Sequence, residues 1–497
     1  MGYGRFGDII VDSFREAYIP AQIIAGKALY RDIFMIYPPM AYIINTILFF
    51  IFGIKLNVLY FAGLTGSIGI INLAFKIASK FMHKTHALAA VLFIISAAAL
   101  SPNVFNLFFP YSFGALYGVL FILGSIYCVI KKEFGGAYFL YSLALCSKYE
   151  FILFFPLLIW MSGKRGWVKN LLLFFAPLIF TITILIVQGV GINDIIASAE
   201  WIMTMFSTKT LYWFYSVTGL VFRPQIIPIY AINFVKYLIP LVFVSYFRNV
   251  WAVLITIIYL CFTVNPEILI YAFPLIFILF VIRFKNLSGR KKFFITASLL
   301  ISIKLFFALT LQSYGVYFLP FALISIYILT PKRFKNALFI LVLTSAIIIG
   351  VRNISSLMNK NVKIETERGV VYTTPYYGNG LNELVKYIET SVKEDDTVLV
   401  LPEGLSVCFL TGKNSDNKFY SLIPLYVETF GDKLVIERLK FKKPEYIVIT
   451  NYDTSNYYYS LFGKDYAEDI CKYVLSTYDL VKTFGNGFVL DIYKRKS

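Results

Sequence analysis

Histidine is almost absent from this chain of 497 residues: His83 and His86 are the only two, and both lie in one basic loop. A histidine-based metal centre or a Ser-His-Asp triad is therefore not expected. The five cysteines show no metal-ligand spacing. Cys128, Cys146 and Cys261 fall in apolar runs, where cysteine behaves as a small hydrophobe. Cys408 and Cys471 lie in the polar C-terminal part, where a pairing is allowed but not demanded. No Gly-rich phosphate fingerprint follows a strand-like run; LPEGLS at Leu401–Ser406 reads as a strand-to-loop turn. The first residues are polar, so no cleavable signal peptide is expected. No cofactor is expected, and no residue pattern indicates a divalent metal.

Charge is also scarce, at 15% of residues, where soluble globular proteins carry about 25%. Hydrophobic residues make up 59%, aromatics 18%, and the mean hydropathy is +0.72. This composition implies a multi-pass membrane protein in a lipid bilayer. The net charge of +18 does not imply nucleic acid as a partner. Most Lys and Arg before residue 352 sit in short clusters between apolar runs, as the positive-inside rule requires.

Apolar spans read at 57–75, 87–101, 113–130, 135–147, 150–162, 170–190, 226–246, 250–264, 268–282, 293–311, 315–330 and 336–351. The basic loops are Lys76–Lys84, Lys131–Lys132, Lys164–Lys169, Arg248, Arg283–Lys292 and Lys332–Lys335, and the alternate loops are poor in Lys and Arg. The alternation makes the basic loops cytoplasmic and the segment after Arg352 non-cytoplasmic. A further run at 38–53 begins at Pro38-Pro39 and ends at Gly53. If it crosses the bilayer, the N-terminus is cytoplasmic; if it is interfacial or re-entrant, the N-terminus is external. At about 1.5 Å per residue it is short for a core about 30 Å thick, which favours the second arrangement.

The expected fold is a polytopic α-helical membrane bundle of about eleven to thirteen apolar helices with a C-terminal α/β soluble domain. The domains are residues 1–56, an external loop with interfacial or re-entrant helices; 57–352, the transmembrane helical domain; and 353–497, an external α/β domain. In the last, Thr397–Leu401 and Tyr446–Thr450 read as buried strands, with further strands near Leu480–Phe484 and Phe488–Tyr493. Helices are expected over 381–388, Asp432–Lys443 and Tyr466–Tyr478, and the alternation implies a largely parallel sheet.

The segment Gly7–Gly53 gathers Asp8, Asp12, Glu16 and Asp32 directly before these runs. Asp12-x-x-Arg15-Glu16-x-Tyr18, then Gly26-x-x-Leu29-Tyr30-Arg31-Asp32-Ile33, Tyr37-Pro38-Pro39 and Phe52-Gly53 resemble the first external loop of GT-C-type integral-membrane glycosyltransferases. The resemblance is to family 39-like enzymes, kin to protein O-mannosyltransferases and lipid A aminoarabinose transferases. Phe109-Pro110-Tyr111-Ser112, Lys148-Tyr149-Glu150 and Thr411-Gly412-Lys413 echo it further along the chain. That family places a transmembrane helix before its acidic motif, whereas eleven residues precede Asp12 here.

The resemblance implies a GT-C-like architecture, a polyprenyl-phosphate-linked sugar donor, a site at the external membrane face and inversion at the anomeric carbon. It favours external placement of residues 1–37. The acceptor is a glycan, a lipid or a protein, and the location is the inner or plasma membrane. Transfer needs a base for the acceptor hydroxyl and cationic groups for the departing phosphate. Asp12 is the expected catalytic base, against the alternative that it caps an interfacial helix with Arg15 and Glu16 as solvated first-turn residues. Asp8 competes for the same role. Arg15, Glu16, Tyr18 and Asp32 are expected as supporting or acceptor-side residues, Asp32 otherwise forming an ion pair with Arg31. Lys148 and Arg223 are the expected donor-phosphate ligands, Lys148 otherwise snorkelling to the interface. Tyr111, Glu150, Glu200 and Tyr314 are further candidates; Glu267 reads as a helix cap. Two rivals stand beside the enzyme: a transporter or lipid flippase, and a non-catalytic relative that binds a lipid-linked glycan.

Overall fold

The computed structural model describes residues 3–10, 12–164, 166–212, 226–264, 273–307 and 314–496. The chain forms two compact units. One comprises residues 1–62, 181–214 and 358–497, and the other residues 63–180 and 215–357.

In the first unit, helix α1 (Arg15–Ile24) is followed by a wired loop and helix α2 (Met40–Phe52). Pro39 starts α2 and Gly53, at φ +86°, stops it. With 13 residues α2 is about 20 Å long, short of the hydrocarbon thickness. Its last turn is apolar and exposed at Phe50, Ile51 and Phe52. By contrast α1 is buried from Arg15 to Ile23 and is no solvated interfacial helix.

The C-terminal part of this unit carries a hairpin, β1 (Val362–Thr366) with β2 (Gly369–Thr373), and a four-stranded sheet of β3 (Val398–Leu401), β4 (Tyr446–Thr450), β5 (Tyr478–Phe484) and β6 (Leu490–Arg495). The sheet order is β3-β4-β6-β5. Only β3 and β4 pair in parallel; β4–β6 and β5–β6 are antiparallel. The expectation of a largely parallel sheet is corrected. Strands β3 and β4 are joined by a long helical crossover, whereas the short link from Phe484 to Leu490 permits only a hairpin. All four residues of β3 are buried, although it is an edge strand of the sheet.

One hydrophobic core joins the three chain segments of this unit. Phe34 packs edge-on against Phe430 (ring centroids 4.9 Å) and Tyr426 (5.7 Å), while Trp201, on the helix Ile192–Met205, stacks on Phe419 (5.0 Å). The Phe34 amide donates to the Lys418 carbonyl at 3.1 Å, extending the match to the backbone. Phe49 of α2 stacks on Phe409 of the helix Leu405–Thr411.

Among its described residues, the regular secondary structure of the second unit is all helical. Four helices are long and apolar enough to cross a membrane, Leu56–Ala78, Phe113–Lys131, Trp167–Val187 and Lys332–Met358, the first and third of them shared with the first unit; the other apolar helices are shorter. Trp167–Val187 leaves Leu172, Phe175, Ile179 and Phe180 exposed, an apolar surface that suits lipid rather than water. Small residues let neighbours approach. Gly124 faces Leu140, and Ser125 Oγ donates to the Ala137 carbonyl at 2.8 Å, closing the hairpin between Phe113–Lys131 and Phe134–Ser147. Several expected spans are interrupted. The run 87–101 ends as a π-helical stretch at Ile95–Ala99, and 150–162 starts as a 3₁₀ turn at Tyr149–Phe154. The run 293–311 breaks after Ile301 and resumes as a short 3₁₀ segment, Ile303–Phe307.

Candidate active site

Asp12 sits in the turn that leads into α1, with φ +61°. A non-glycine residue there is strained unless its surroundings hold it. The holding contact is Arg15 Nη2, which donates to Asp12 Oδ1 at 2.7 Å. Arg15 is only 4% exposed, and its guanidinium lies over the Tyr37 ring, 5.6 Å from the centroid. The first helical residue is Arg15, and the cap position is Phe14, whose side chain makes no capping hydrogen bond. The alternative of Asp12 as an N-cap with solvated neighbours is therefore overturned. Its carboxylate is committed to a buried guanidinium instead.

The other acidic residues divide the remaining work. Asp8 Oδ1 accepts from the Ile10 amide at 2.7 Å, and the Asp8 amide donates to Ser13 Oγ, so Asp8 closes the turn that carries Asp12. Glu16 is fully buried and accepts from the Tyr42 hydroxyl at 3.1 Å, tying α1 to α2. Tyr18 reaches the C-terminal segment: its hydroxyl accepts from the Ser415 amide at 3.0 Å and shares a hydrogen bond with Ser415 Oγ at 2.8 Å. Asp32 accepts from Arg31 and from the Ala28 amide, while Arg31 also donates to the carbonyls of Gln188 and Gly189. Asp32 thus sits in the structural ion pair anticipated as its other reading.

A fifth acidic group was not anticipated. Glu403 lies in the turn directly after β3, is 5% exposed, and accepts from Ser421 Oγ. Gly404 makes that turn; a Cβ there would meet Val400 Cγ1 at 2.3 Å. Burial, reinforced by the nearby charge of Asp12, pushes the Glu403 carboxyl up to about 8. Asp12 and Glu403 are thus two interacting carboxyl groups, and Glu403 holds a proton at neutral pH. Tyr452 and Tyr457 feel both groups, and burial keeps both phenols protonated. Tyr420 is hydrogen-bonded to Arg15. The signal for Glu403 was its place at the carboxyl end of a buried parallel strand, where open α/β sheets put their ligand sites.

Lys148 and Glu150 belong to the second unit. Lys148 ends the helix Phe134–Ser147 and is 8% exposed, too buried for snorkelling. Glu150 forms an ion pair with Lys304, both being largely buried. Lys304 was missed because it lies inside an apolar run; the break after Ile301 makes room for it. Tyr111 is buried, and its carbonyl accepts from the Tyr317 hydroxyl at 2.8 Å. Glu200 is exposed on the helix Ile192–Met205. Tyr314 begins a 3₁₀ turn. Arg223 and Glu267 lie outside the described residues. Cys408 and Cys471 are both free thiols, so they do not pair. Among the described residues, no cluster of three His, Cys, Asp or Glu side chains is placed to hold a metal ion.

No family model and no curated protein matches the sequence. Two solved structures are similar to the chain: ArnT from Cupriavidus metallidurans in the apo state and the same protein bound to undecaprenyl phosphate. Their TM-scores are 0.44 and 0.43, each at 13% identity, with 98% of this chain and 94% of that chain covered.

Proposed function

We propose that the chain is a membrane glycosyltransferase that moves a sugar from a polyprenyl-phosphate donor to an acceptor hydroxyl at the external membrane face. The observation that carries this reading is the Asp12 centre: a carboxylate in a strained turn, ion-paired to buried Arg15, near a protonated Glu403 and several tyrosines. The acceptor oxygen attacks the anomeric carbon from the face opposite the phosphate. The new carbon–oxygen bond forms as the bond to phosphate breaks, and polyprenyl phosphate leaves with the electron pair. Asp12 takes the hydroxyl proton. Arg15 aims its carboxylate, and Glu403, being neutral, leaves one negative charge at the centre rather than two. One carboxylate base suffices for a single inverting displacement.

Lys148 is the proposed ligand of the donor phosphate, with Arg223 as the second. The C-terminal domain is proposed to be non-cytoplasmic, on the loop-charge pattern. Membranes containing wild type or Asp12→Asn, supplied with labelled polyprenyl-phosphate sugar, test the base. The variant is expected to lose about 10²–10⁴ in transfer rate; full activity would falsify the assignment.

One observation favours the transporter rival: the buried Glu150–Lys304 pair, since ionisable groups inside a membrane domain often mark a transport path. Movement of the labelled donor across proteoliposomes by Asp12→Asn, with loss on Lys304→Gln, is the result that reading requires.

A further inference from the structure

A small polar cleft lined by Tyr420 opens in the first unit between α1 and the 414–442 segment. Lys27, Lys418, Arg438 and Lys442 line it against two carboxylates, Asp32 and Asp416. Both carboxylates are already engaged. Asp416 accepts from Lys27 Nζ at 2.5 Å and Lys442 Nζ at 2.9 Å, and Asp32 pairs with Arg31 at 2.7 Å. Lys418 and Arg438 have no carboxylate within ion-pair distance among the described residues. Burial holds the Lys418 ammonium below the ordinary lysine range, with Asp194 opposing the shift and Arg438 adding to it.

Two buried donors in the lining also lack an acceptor: Asn417 Nδ2 and Arg438 Nε. Asn417 is 9% exposed, and its Oδ1 accepts from the Phe419 amide at 3.1 Å, which fixes the amide with Nδ2 as the orphan. A buried donor without an acceptor costs about 1–3 kcal/mol, and more when charged. A site that keeps two of them beside two like-charged cations is complementary to an anion with several acceptor oxygens.

We infer that this cleft binds a phosphate monoester, gripped by Lys418 and Arg438, with Asn417 Nδ2 as a neutral donor and Lys27 and Lys442 completing the positive rim. The excess of two positive side chains over negative ones in the lining matches a dianion. Tyr420 lines this cleft and is hydrogen-bonded to Arg15, so the two sites share a wall. On the glycosyltransferase reading the phosphate belongs to the acceptor, but binding itself does not rest on that reading.

The test is calorimetric titration of the full chain in detergent with inorganic phosphate. Saturable binding is expected for wild type and for Asp12→Asn alike. Lys418→Gln and Arg438→Gln, singly, should each weaken it by about tenfold or more, for loss of a charge-assisted hydrogen bond. Glucose 6-phosphate and dihexanoyl phosphatidic acid then compete for the site, and the stronger competitor assigns the ester to a soluble glycan or to a lipid headgroup. Absence of saturable binding at about 10 mM, a dissociation constant worth under about 3 kcal/mol, overturns the inference. So does wild-type affinity in both Gln variants, or loss of binding in Asp12→Asn, which would put the phosphate at the other site.

Discussion

A carboxyl group that keeps its proton at neutral pH changes how a protein responds to base. Glu403 titrates near 8 in the folded chain because burial and Asp12 both oppose its charge, whereas an unfolded chain releases that proton near 4.5. The folded state therefore binds more protons between those values, and the Glu403 contribution to stability falls as pH rises through about 8. Asp8, Asp12 and Arg15 are the charged groups that face it. Glu403→Gln removes the titration while keeping the shape and an acceptor for Ser421. Melting temperatures measured at pH 5 and pH 8.5 should move in favour of the variant relative to wild type as pH rises. An unchanged difference between the two proteins would show that Glu403 is ionised throughout. Arg15 makes the complementary case: Arg15→Lys keeps the charge but loses the planar fork that holds Asp12, so transfer should drop while the fold persists.

At the scale of elements, the loop 26–37 is held by its own wiring and by one aromatic plug. The Tyr30 hydroxyl donates to the Tyr37 carbonyl at 2.8 Å, and Phe34 fills a cage of Trp201, Tyr426 and Phe430. Phe34→Ala should cost about 3–5 kcal/mol, read as a fall in the melting temperature of the purified chain. A loss under about 1 kcal/mol would mean the cage collapses around the gap. Local elements were legible in the sequence because their signals are local. TVLVL and YIVIT announced β3 and β4, and Pro38-Pro39 and Gly53 bracketed α2. Pairing was not, since the sheet order depends on which strands meet after a crossover. Glu403 and Lys304 escaped for a related reason. Each is one charged residue in an apolar stretch, and its meaning comes from a partner far away in sequence, Asp12 or Glu150. Asp12 was singled out by motif; its positive φ and its ion pair with Arg15, neither legible in the sequence, speak against the helix-cap alternative.

At the scale of the whole molecule, the proposed sidedness rests on loop charge and is open to direct test. A reporter that is active only outside the cytoplasm, fused after Ser497, should be active; a cytoplasmic reporter at the same place should be silent. The reverse pattern would put the Asp12 centre on the cytoplasmic side and end the proposed use of an externally presented donor.

The first unit is stitched from three separated stretches of chain, and this sets a timetable for its making. Asp12 and Arg15 emerge early, but Glu403, Ser421 and two of the aromatic residues that cage Phe34, Tyr426 and Phe430, follow only after the second unit has been synthesised. At about 5–20 residues per second, the N-terminal loop waits roughly 20–80 s for the partners that bury it. During that interval Phe34 and the apolar last turn of α2 are uncovered. The bilayer surface is then their natural shelter, and a newborn chain released before residue 358 should remain membrane-bound and open to protease at residues 1–37.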